Sequence, residues 1–187
     1  MSEARTAEGP VRSSPGVPEW AGPALESVLG RVAVTRTEAG DRFPLFADPG
    51  NGRWTTTGRG SWTGGFWAGL LWLRARHTGQ ETDRAAALRF TGRLTDWVDA
   101  DTATRGLIFW YGTALTDTPE AAALRVRAAQ ACRDVYDSEL GLVPWGSAFG
   151  GPRLLARADA YPAWFRCWPR WTPRRQGPTC TATLNSA

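Results

Sequence analysis

The chain has 187 residues, of which 42% are hydrophobic and 21% are charged, and this is enough for one domain with its own hydrophobic core. No apolar run approaches the roughly 18 residues that a membrane-spanning helix needs, and the amino terminus lacks the apolar stretch of a secretory signal. The composition therefore excludes a membrane-spanning class and predicts a soluble, cytoplasmic protein without a membrane partner.

The formal net charge of +4 invites a nucleic-acid-binding hypothesis. All of the excess lies in residues 160–187, which hold four arginines and no acidic residue, whereas residues 1–159 hold 18 arginines and 18 acidic residues. A surface for phosphates should be part of the fold rather than a terminal segment. No nucleic-acid partner is expected.

The cysteines and the single histidine show no metal-ligand or disulfide spacing. Cys132 is expected to be a small apolar residue on a helix, while Cys167 and Cys180 belong to the basic segment. The sequence predicts neither a metal site nor a cofactor.

Three segments open the chain. Residues 1–17 are rich in Ser, Pro, Gly and charge, and are predicted to be disordered. A helix is predicted from about Pro23 to Thr37, where apolar residues form one stripe. Residues 40–62 follow, dense in Gly, Pro, Asp and Asn, and are predicted to be a loop. Long loops within compact domains are often functional.

A buried helix and an exposed helix are predicted next. The segment from Phe66 to Leu73 is apolar on every side of a helical wheel, which indicates a helix buried all round. Gly79 is expected to end that helix as a C-cap. The helix predicted at about Thr82 to Val98 is amphipathic, because its apolar residues recur at three- and four-residue steps.

The same alternation is then repeated. The segment from Leu107 to Leu115 is again apolar around its circumference. Thr118 is a suitable N-cap with Pro119 at the first helical position, and an amphipathic helix is predicted from there to about Tyr136. The two apolar segments begin 41 residues apart, so the pattern indicates a repeating αα-hairpin.

Two architectures fit such a repeat. One is an open α-solenoid, which stacks hairpins in a row. The other is a closed ring of hairpins, with an inner barrel of helices inside an outer ring. The apolar inner helices and their Trp- and Gly-rich connections favour the ring, so the predicted fold class is all-α, an incomplete (α/α)6 six-hairpin barrel over residues 18–159.

Residues 160–187 differ in composition from the rest of the chain. They contain three Trp, four Pro, four Arg and two of the three cysteines, with no acidic residue and no periodic apolar face. A functional basic tail is one interpretation. The favoured hypothesis is out-of-frame translation, which resequencing of the coding DNA would test.

Tryptophans are the strongest local signal for function, because flat apolar faces of sugar rings stack on indoles and the indole N–H donates a hydrogen bond. Trp67, Trp72 and Trp97 fall on predicted helices and are expected in the core. Trp62 and Trp145 lie at loop-to-helix junctions and are the candidates for substrate binding.

Residues 58–80, GRGSWTGGFWAGLLWLRARHTGQ, resemble a W-T-S-G-F-x-x-G-x-x-W-x-x-x-x-x-T-G-D segment of glycoside hydrolase family 88, the unsaturated glucuronyl hydrolases. The preceding FPLFADPGNGRW is similar to the family's approach to that segment. The resemblance covers about residues 20–159, and the matching residues are Trp62, Thr63, Gly65, Phe66, Gly69, Trp72, Thr78 and Gly79.

The resemblance implies a six-hairpin barrel that acts on oligosaccharides ending in an unsaturated uronic acid. In that family an aspartic acid protonates the vinyl-ether carbon and assists the attack of water, and the resulting hemiketal opens the glycosidic bond. This differs from the usual pair of flanking carboxylates. Carried over to this sequence, it implies Asp159 as general acid and base, with Trp145 as stacking platform and Trp62 near the same subsite.

One position departs from the family pattern. The family's second aspartate lies in an H-D-x-G-F segment, and the corresponding stretch here, residues 104–109, carries no carboxylate. Asp99 and Asp101 come earlier and do not substitute for it. Other family groups that hold the substrate carboxylate would lie beyond residue 160.

Two functional classes therefore compete. The leading hypothesis is an amino-terminal fragment of a glycoside hydrolase-like enzyme, expected to be unstable or to aggregate and to lack activity, because an unclosed ring would expose its inner helices. The alternative is a non-catalytic α-helical repeat that binds a protein partner. The enzyme hypothesis predicts that Trp62, Trp145 and Asp159 gather in one cleft, and the repeat hypothesis predicts that they scatter.

Overall fold

A computed structural model describes residues 16–156. No helix in this part of the chain is long and apolar enough to cross a membrane. A short 3-10 helix spans Arg93–Trp97. The other elements, in chain order, are α1 (Ala21–Ala39), β1 (Phe43–Ala47), β2 (Trp54–Thr57), α2 (Gly64–Thr78), α3 (Glu81–Gly92), α4 (Arg105–Thr113) and α5 (Pro119–Asp134).

The prediction of a loop over residues 40–62 is wrong in part, because this stretch contains an antiparallel hairpin. Strands β1 and β2 pair Phe43 with Thr57 and Ala47 with Trp54. The turn between them is closed by Asp48, whose carboxylate accepts hydrogen bonds from the Gly50 and Asn51 N–H groups at 2.8 and 3.1 Å. Such short strands between Gly-rich turns carry too few alternating residues to be seen in the sequence.

Helix α2 is buried over most of its circumference, as predicted, although Phe66, Leu70 and Leu73 are only half-buried. No residue from Phe66 to Ala75 is exposed. The helix begins two residues before the apolar segment and ends one residue before Gly79, which adopts a left-handed φ of 67° and donates its N–H to the Ala75 carbonyl at 3.0 Å. This C-cap was expected from the sequence.

Two glycines set the distance between α2 and α4. A Cβ atom at Gly65 would lie 2.2 Å from the Ile108 carbonyl oxygen, and one at Gly69 would lie 2.6 Å from the Tyr111 carbonyl oxygen. The helix backbones therefore touch directly at these two positions, which are one turn apart on α2. This close approach explains why these two positions of a buried helix are glycine, although glycine weakens a helix.

The outer helix α3 is shorter than predicted. It ends at Gly92, and residues 93–97 continue as the 3-10 helix instead of reaching Val98 as α-helix. Glycine is a poor helix former, and the Gly92 carbonyl accepts a hydrogen bond from the Thr95 hydroxyl at 2.7 Å. The apolar period continues through Leu94 and Trp97, which are both buried, so periodicity alone did not reveal the break.

The second pair, α4 and α5, follows the sequence prediction with shifted ends. Helix α4 begins 41 residues after the start of α2, which is the predicted spacing. It is less buried than its apolar sequence predicts, because Tyr111 is 41% exposed. The Thr118 hydroxyl caps α5 by accepting from the Ala121 N–H at 3.4 Å, with Pro119 in the first turn. Helix α5 ends at Asp134, two residues earlier than expected.

The two pairs pack side by side. The inner helices α2 and α4 contact each other along their length, α3 packs on α2, and α5 packs on α4. Phe90, Leu94, Ile108 and Phe109 fill the space between these helices, all at 0% exposure. The described residues thus form two adjacent αα-hairpins with inner and outer helices in the predicted order.

Candidate functional site

A cleft of about 510 Å³ opens at the amino-terminal ends of the inner helices. The turn before α2 and the first turn of α4 form its floor, strand β1 forms one side, and the loop after residue 144 forms the other. Its lining residues are Leu45, Phe46, Ser61, Trp62, Thr63, Thr104, Leu107, Trp145 and Phe149.

The structure brings both sequence-predicted tryptophans into this cleft, although 83 positions separate them in the chain. Trp62 is 44% exposed and Trp145 is 8% exposed, so Trp62 offers more accessible ring surface. Asp159, the predicted acid, lies outside the described residues. The three tryptophans expected in the core, Trp67, Trp72 and Trp97, are all buried.

Trp97, a buried residue outside the cleft lining, contacts both the turn before Trp62 and the loop that carries Trp145. Its indole N–H donates to the Arg59 carbonyl at 2.6 Å, in the turn that leads to Trp62. Its ring stacks on Phe149, with centroids 5.1 Å apart and planes at 16°. The ring of Phe149 lies 5.9 Å from that of Trp145. One buried indole therefore supports the segments that carry both candidate platforms.

The hydroxyl-bearing residues Ser61, Thr63 and Thr104 line the floor of the cleft, and Thr104 is 3% exposed. The Thr104 hydroxyl lies 2.9 Å from that of Thr102, whose oxygen also accepts from the Thr104 N–H at 3.0 Å. Such groups can donate to or accept from sugar hydroxyls. None of the lining residues carries a charge, so the described part of this cleft offers stacking and neutral hydrogen bonding.

Seven residues that line the cleft were not predicted as site residues, among them Phe46, Ser61, Thr104 and Phe149. Ser61 and Phe149 stand one and four residues from the predicted tryptophans, so proximity in sequence was an available signal. Phe46 and Thr104 reach the cleft only because the hairpin and α4 pack beside α2. No local pattern could have indicated them.

The stretch that lacks the expected carboxylate contains a buried arginine. Arg105 is 2% exposed, and its guanidinium donates to the carbonyl oxygens of Val98 at 2.7 Å, Ala100, and Ala131 at 3.3 Å. These bonds tie the start of α4 to the end of the 3-10 helix and to α5. Arg105 is thus a structural cation with carbonyl partners.

Asp101 does not replace the missing carboxylate in the cleft. Its Oδ2 atom accepts from the Ser147 N–H and hydroxyl at 3.0 Å each and lies 3.3 Å from Nε of Arg153. Burial raises the pKa of the Asp101 carboxyl, but the hydrogen bonds from Ser147 and Arg153 outweigh it and hold the pKa below its ordinary value. The Asp101 carboxylate therefore hydrogen-bonds to the loop that carries Trp145.

Neither a metal site nor a reactive thiol is evident between residues 16 and 156. No group of three or more His, Cys, Asp or Glu side chains is placed there to hold a metal ion. Cys132 is buried on α5 as predicted, and burial raises the pKa of its thiol despite the opposing effect of Arg105.

A second cleft of about 540 Å³ lies at the opposite ends of the inner helices. Its lining includes Arg76, Arg84 and Thr118, and its one aromatic residue, Trp72, is only 2% exposed. It therefore lacks the accessible ring surface on which a sugar would stack. The cleft that holds Trp62 and Trp145 is the better candidate, although it is slightly smaller.

Comparisons with known proteins point to one kind of enzyme. No family model matches the chain. Over 76 residues the chain is 36% identical to the unsaturated glucuronyl hydrolase of Bacillus sp. (strain GL1), a match that covers 41% of this chain and 20% of that enzyme.

Solved structures extend the likeness to most of the described residues. The unsaturated glucuronyl hydrolase of Bacillus sp. GL1, described as responsible for glycosaminoglycan degradation, matches with a TM-score of 0.61 and 26% identity over 70% of this chain and 37% of its own. A UGL variant with dGlcA-Glc-Rha-Glc gives the same values. The enzyme of Streptococcus agalactiae, at 19% identity and a TM-score of 0.60 over 68% and 34%, supports the fold alone.

The resemblance expected from residues 58–80 is thus confirmed over part of the chain, and so is the predicted fold class, an incomplete (α/α)6 barrel of alternating inner and outer helices. The chain spans about a third of the length of the solved relatives that it matches. Of the two architectures that fit the helical repeat, the likeness supports the ring of hairpins.

Proposed function

We propose that this chain forms the aromatic, sugar-binding part of a glycoside hydrolase-type site for oligosaccharides that end in an unsaturated uronic acid. The observation that carries the proposal is the convergence of Trp62 and Trp145 on one cleft, within a fold shared with unsaturated glucuronyl hydrolases. The convergence favours this function over a non-catalytic helical repeat, for which no such gathering is expected.

The chemistry of the cleft suits a sugar ring. The C–H face of a pyranose stacks on an indole, and Trp62 has accessible ring surface for this contact. Hydroxyls of Ser61 and Thr104 line the same space and can pair with ring hydroxyls. The amino termini of α2 and α4 both border the cleft, and their partial positive charge favours the carboxylate of a uronic acid.

In this proposal Asp159 is the general acid and base. It would protonate the vinyl-ether carbon of the unsaturated sugar, and would then assist the attack of water on the neighbouring carbon. The hemiketal so formed opens and releases the rest of the oligosaccharide. A carboxyl group that donates a proton near neutral pH needs a raised pKa, which an apolar, aromatic surrounding provides by desolvation.

Binding of dGlcA-Glc-Rha-Glc to the 187-residue chain, measured by isothermal titration calorimetry, tests the proposal. Trp62→Ala should weaken the affinity about five- to tenfold, the equivalent of roughly 1 kcal/mol of stacking. Trp145→Ala should also weaken it, but by less, because only 8% of Trp145 is exposed. Trp20→Ala is the matched control, because Trp20 is 70% exposed at the start of α1 and does not line the cleft. Undetectable binding, or equal loss in the control, would contradict the proposal.

Turnover is a separate measurement, followed as the loss of the ultraviolet absorbance of the conjugated double bond. The instability and the inactivity of the 187-residue chain both stay predictions. If the chain is folded but inactive, the oligosaccharide binds but is not consumed. Detectable turnover would show that prediction to be wrong, and its abolition in Asp159→Asn with retained binding would support the assigned role.

A further inference from the structure

The loop that carries Trp145 and Phe149 makes several of its contacts with one residue from another part of the chain, Asp101. Asp101 accepts two hydrogen bonds on Oδ2 from Ser147, one from the backbone N–H and one from the hydroxyl, each at 3.0 Å. Its main-chain carbonyl accepts a third from the Ala148 N–H at 3.0 Å. The side chain and the main chain of Asp101 thus bind Ser147 and Ala148, which lie between Trp145 and Phe149 in the sequence.

We propose that Asp101 is a positioning residue for the cleft, acting through Trp145 and Phe149 rather than on the sugar itself. Its contribution to sugar binding rests on the proposed function, but its control of the loop does not. Asp101 is absent from the residues that line the cleft, so its removal would act on the ligand indirectly.

The backbone around Trp145 fits Asp101 closely. Gly146 has a φ of +81°, and a Cβ atom there would lie 2.1 Å from the Asp101 carbonyl oxygen, so the loop packs directly on this residue. The Trp145 carbonyl accepts from the Ala103 N–H at 3.1 Å. Residues 101–103 and 145–148 are therefore joined on both sides of the glycine.

The loop also closes on itself. Backbone N–H groups of Trp145 and Gly146 donate to the carbonyls of Leu155 and Arg153 at 3.0 and 3.1 Å, and the Trp145 indole N–H donates to the Gly150 carbonyl at 2.8 Å. These bonds fix the shape of the loop but not its place on the barrel. Its attachment to the rest of the fold depends on the contacts with Asp101 and Ala103 and on the Phe149–Trp97 stack.

Hydrogen bonding, more than charge pairing, is expected to be the source of this control. The side chains of Arg153 and Asp101 are 63% and 39% exposed, and ion pairs at such exposure contribute little. The Ser147 bonds are to a charged acceptor with good distances, which makes them the stronger contribution. An uncharged acceptor at position 101 keeps the position of the acceptor oxygen but loses the charge, so it should retain part of the effect.

Fluorine NMR of the 187-residue chain labelled with fluorotryptophan tests the proposal, with the Trp145 resonance assigned by its absence in Trp145→Phe. Asp101→Ala should shift or broaden the Trp145 resonance and leave those of the core residues Trp67 and Trp72 in place. Asp101→Asn keeps an acceptor oxygen for Ser147 and should restore the Trp145 resonance towards its original position. Asp99→Ala, an exposed carboxylate two residues away, is the matched control and should change nothing.

The same variants are titrated with dGlcA-Glc-Rha-Glc. Asp101→Ala should weaken the affinity roughly fivefold, with recovery in Asp101→Asn. An unchanged Trp145 resonance in Asp101→Ala would overturn the proposal. A third outcome separates the two proposals. If Asp101→Ala moves the Trp145 resonance but the unsubstituted chain does not bind the sugar, the positioning role is supported and the proposed function is contradicted.

If Asp101→Ala unfolds the chain, Ser147→Ala decides the question. That variant removes the hydroxyl donor but keeps the backbone N–H bond, so it should move the Trp145 resonance in the same direction by a smaller amount. No movement in this folded variant would overturn the proposal.

Discussion

Asp83 links three helices through the hydrogen bonds and ion pairs of its carboxylate. Its carboxylate, on α3, pairs with Arg36 of α1, lies 3.2 Å from Nε of Arg74 on α2, and accepts from the Thr78 hydroxyl at 2.8 Å. Burial raises the pKa of Asp83, but Thr78 and the two arginines outweigh this and lower the pKa below its ordinary value. The ionised form is therefore the one that holds the helices together.

This network makes stability depend on pH in a defined direction. Because the pKa of Asp83 is lower in the folded chain than in the unfolded one, its contribution is present above the unfolded pKa of about 3.9. The contribution is lost as the pH falls through the lower, folded pKa. Asp83→Asn should therefore lower the free energy of unfolding by about 2–3 kcal/mol at neutral pH, and by much less in acid.

Urea denaturation at neutral and acidic pH measures this difference. Asp41→Asn is the matched control, since Asp41 forms an exposed ion pair with Arg89 at 2.8 Å, and its loss should cost less than about 1 kcal/mol. A difference between Asp83→Asn and the unsubstituted chain that stays constant from neutral to acidic pH would contradict this role of the Asp83 carboxylate.

Cys132 gives a second prediction at this scale. It is 3% exposed, and burial raises the pKa of its thiol, so both access and thiolate content are low. Alkylation at neutral pH, followed residue by residue with mass spectrometry, should leave Cys132 unmodified in the native chain and modify it in denaturant. Rapid native alkylation of Cys132 would show that α5 is not packed as described.

At the scale of the elements, the approach of α2 to α4 depends on glycine. A methyl group at Gly65 would fall 2.2 Å from the Ile108 carbonyl oxygen, which is backbone and cannot rotate away. We expect Gly65→Ala to destabilise the fold by about 2–3 kcal/mol or more, as overpacking does. Chemical denaturation with a linear extrapolation gives the number directly.

Gly30→Ala is the control for this substitution. Gly30 lies in α1 with nothing within 4 Å of its would-be Cβ, so alanine there should stabilise the helix by up to about 1 kcal/mol. If Gly65→Ala and Gly30→Ala changed the free energy of unfolding in the same direction by similar amounts, glycine at position 65 would have no packing role. The close approach of α2 to α4 at Ile108 would then be contradicted.

The helical elements were predictable because each has a local cause. The Thr118–Pro119 cap, the Gly79 terminus and the apolar circumference of α2 are all legible in the sequence, and the structure places each of them as expected. The β-hairpin and the break at Gly92 were not predictable. Strands of five and four residues carry little periodicity, and the 3-10 helix keeps the apolar spacing of the α-helix before it.

At the scale of the whole molecule, the candidate site is assembled from distant segments. Trp62 was predictable as a candidate from its position just before α2, whereas Trp145 lies in an irregular loop after α5 and not at the start of a helix, as the sequence had suggested. Their convergence follows from the attachment of that loop to residues 101–103. The neutral floor around Thr104 and the control exerted by Asp101 are products of tertiary structure, which no local pattern records. Predictions for residues 1–15 and 157–187, including Asp159 and the origin of the basic segment, lie outside the described residues and stay predictions.

A crystal structure of the 187-residue chain with dGlcA-Glc-Rha-Glc is the sharpest test of the proposed sugar-binding cleft. We expect a sugar ring stacked on Trp62, with Trp145 on the opposite side of the same cleft and the loop of residues 145–153 still bound to Asp101. Oligosaccharide bound elsewhere on the molecule, for example in the cleft near Arg84, with the cleft of Trp62 and Trp145 left vacant, would contradict the proposal.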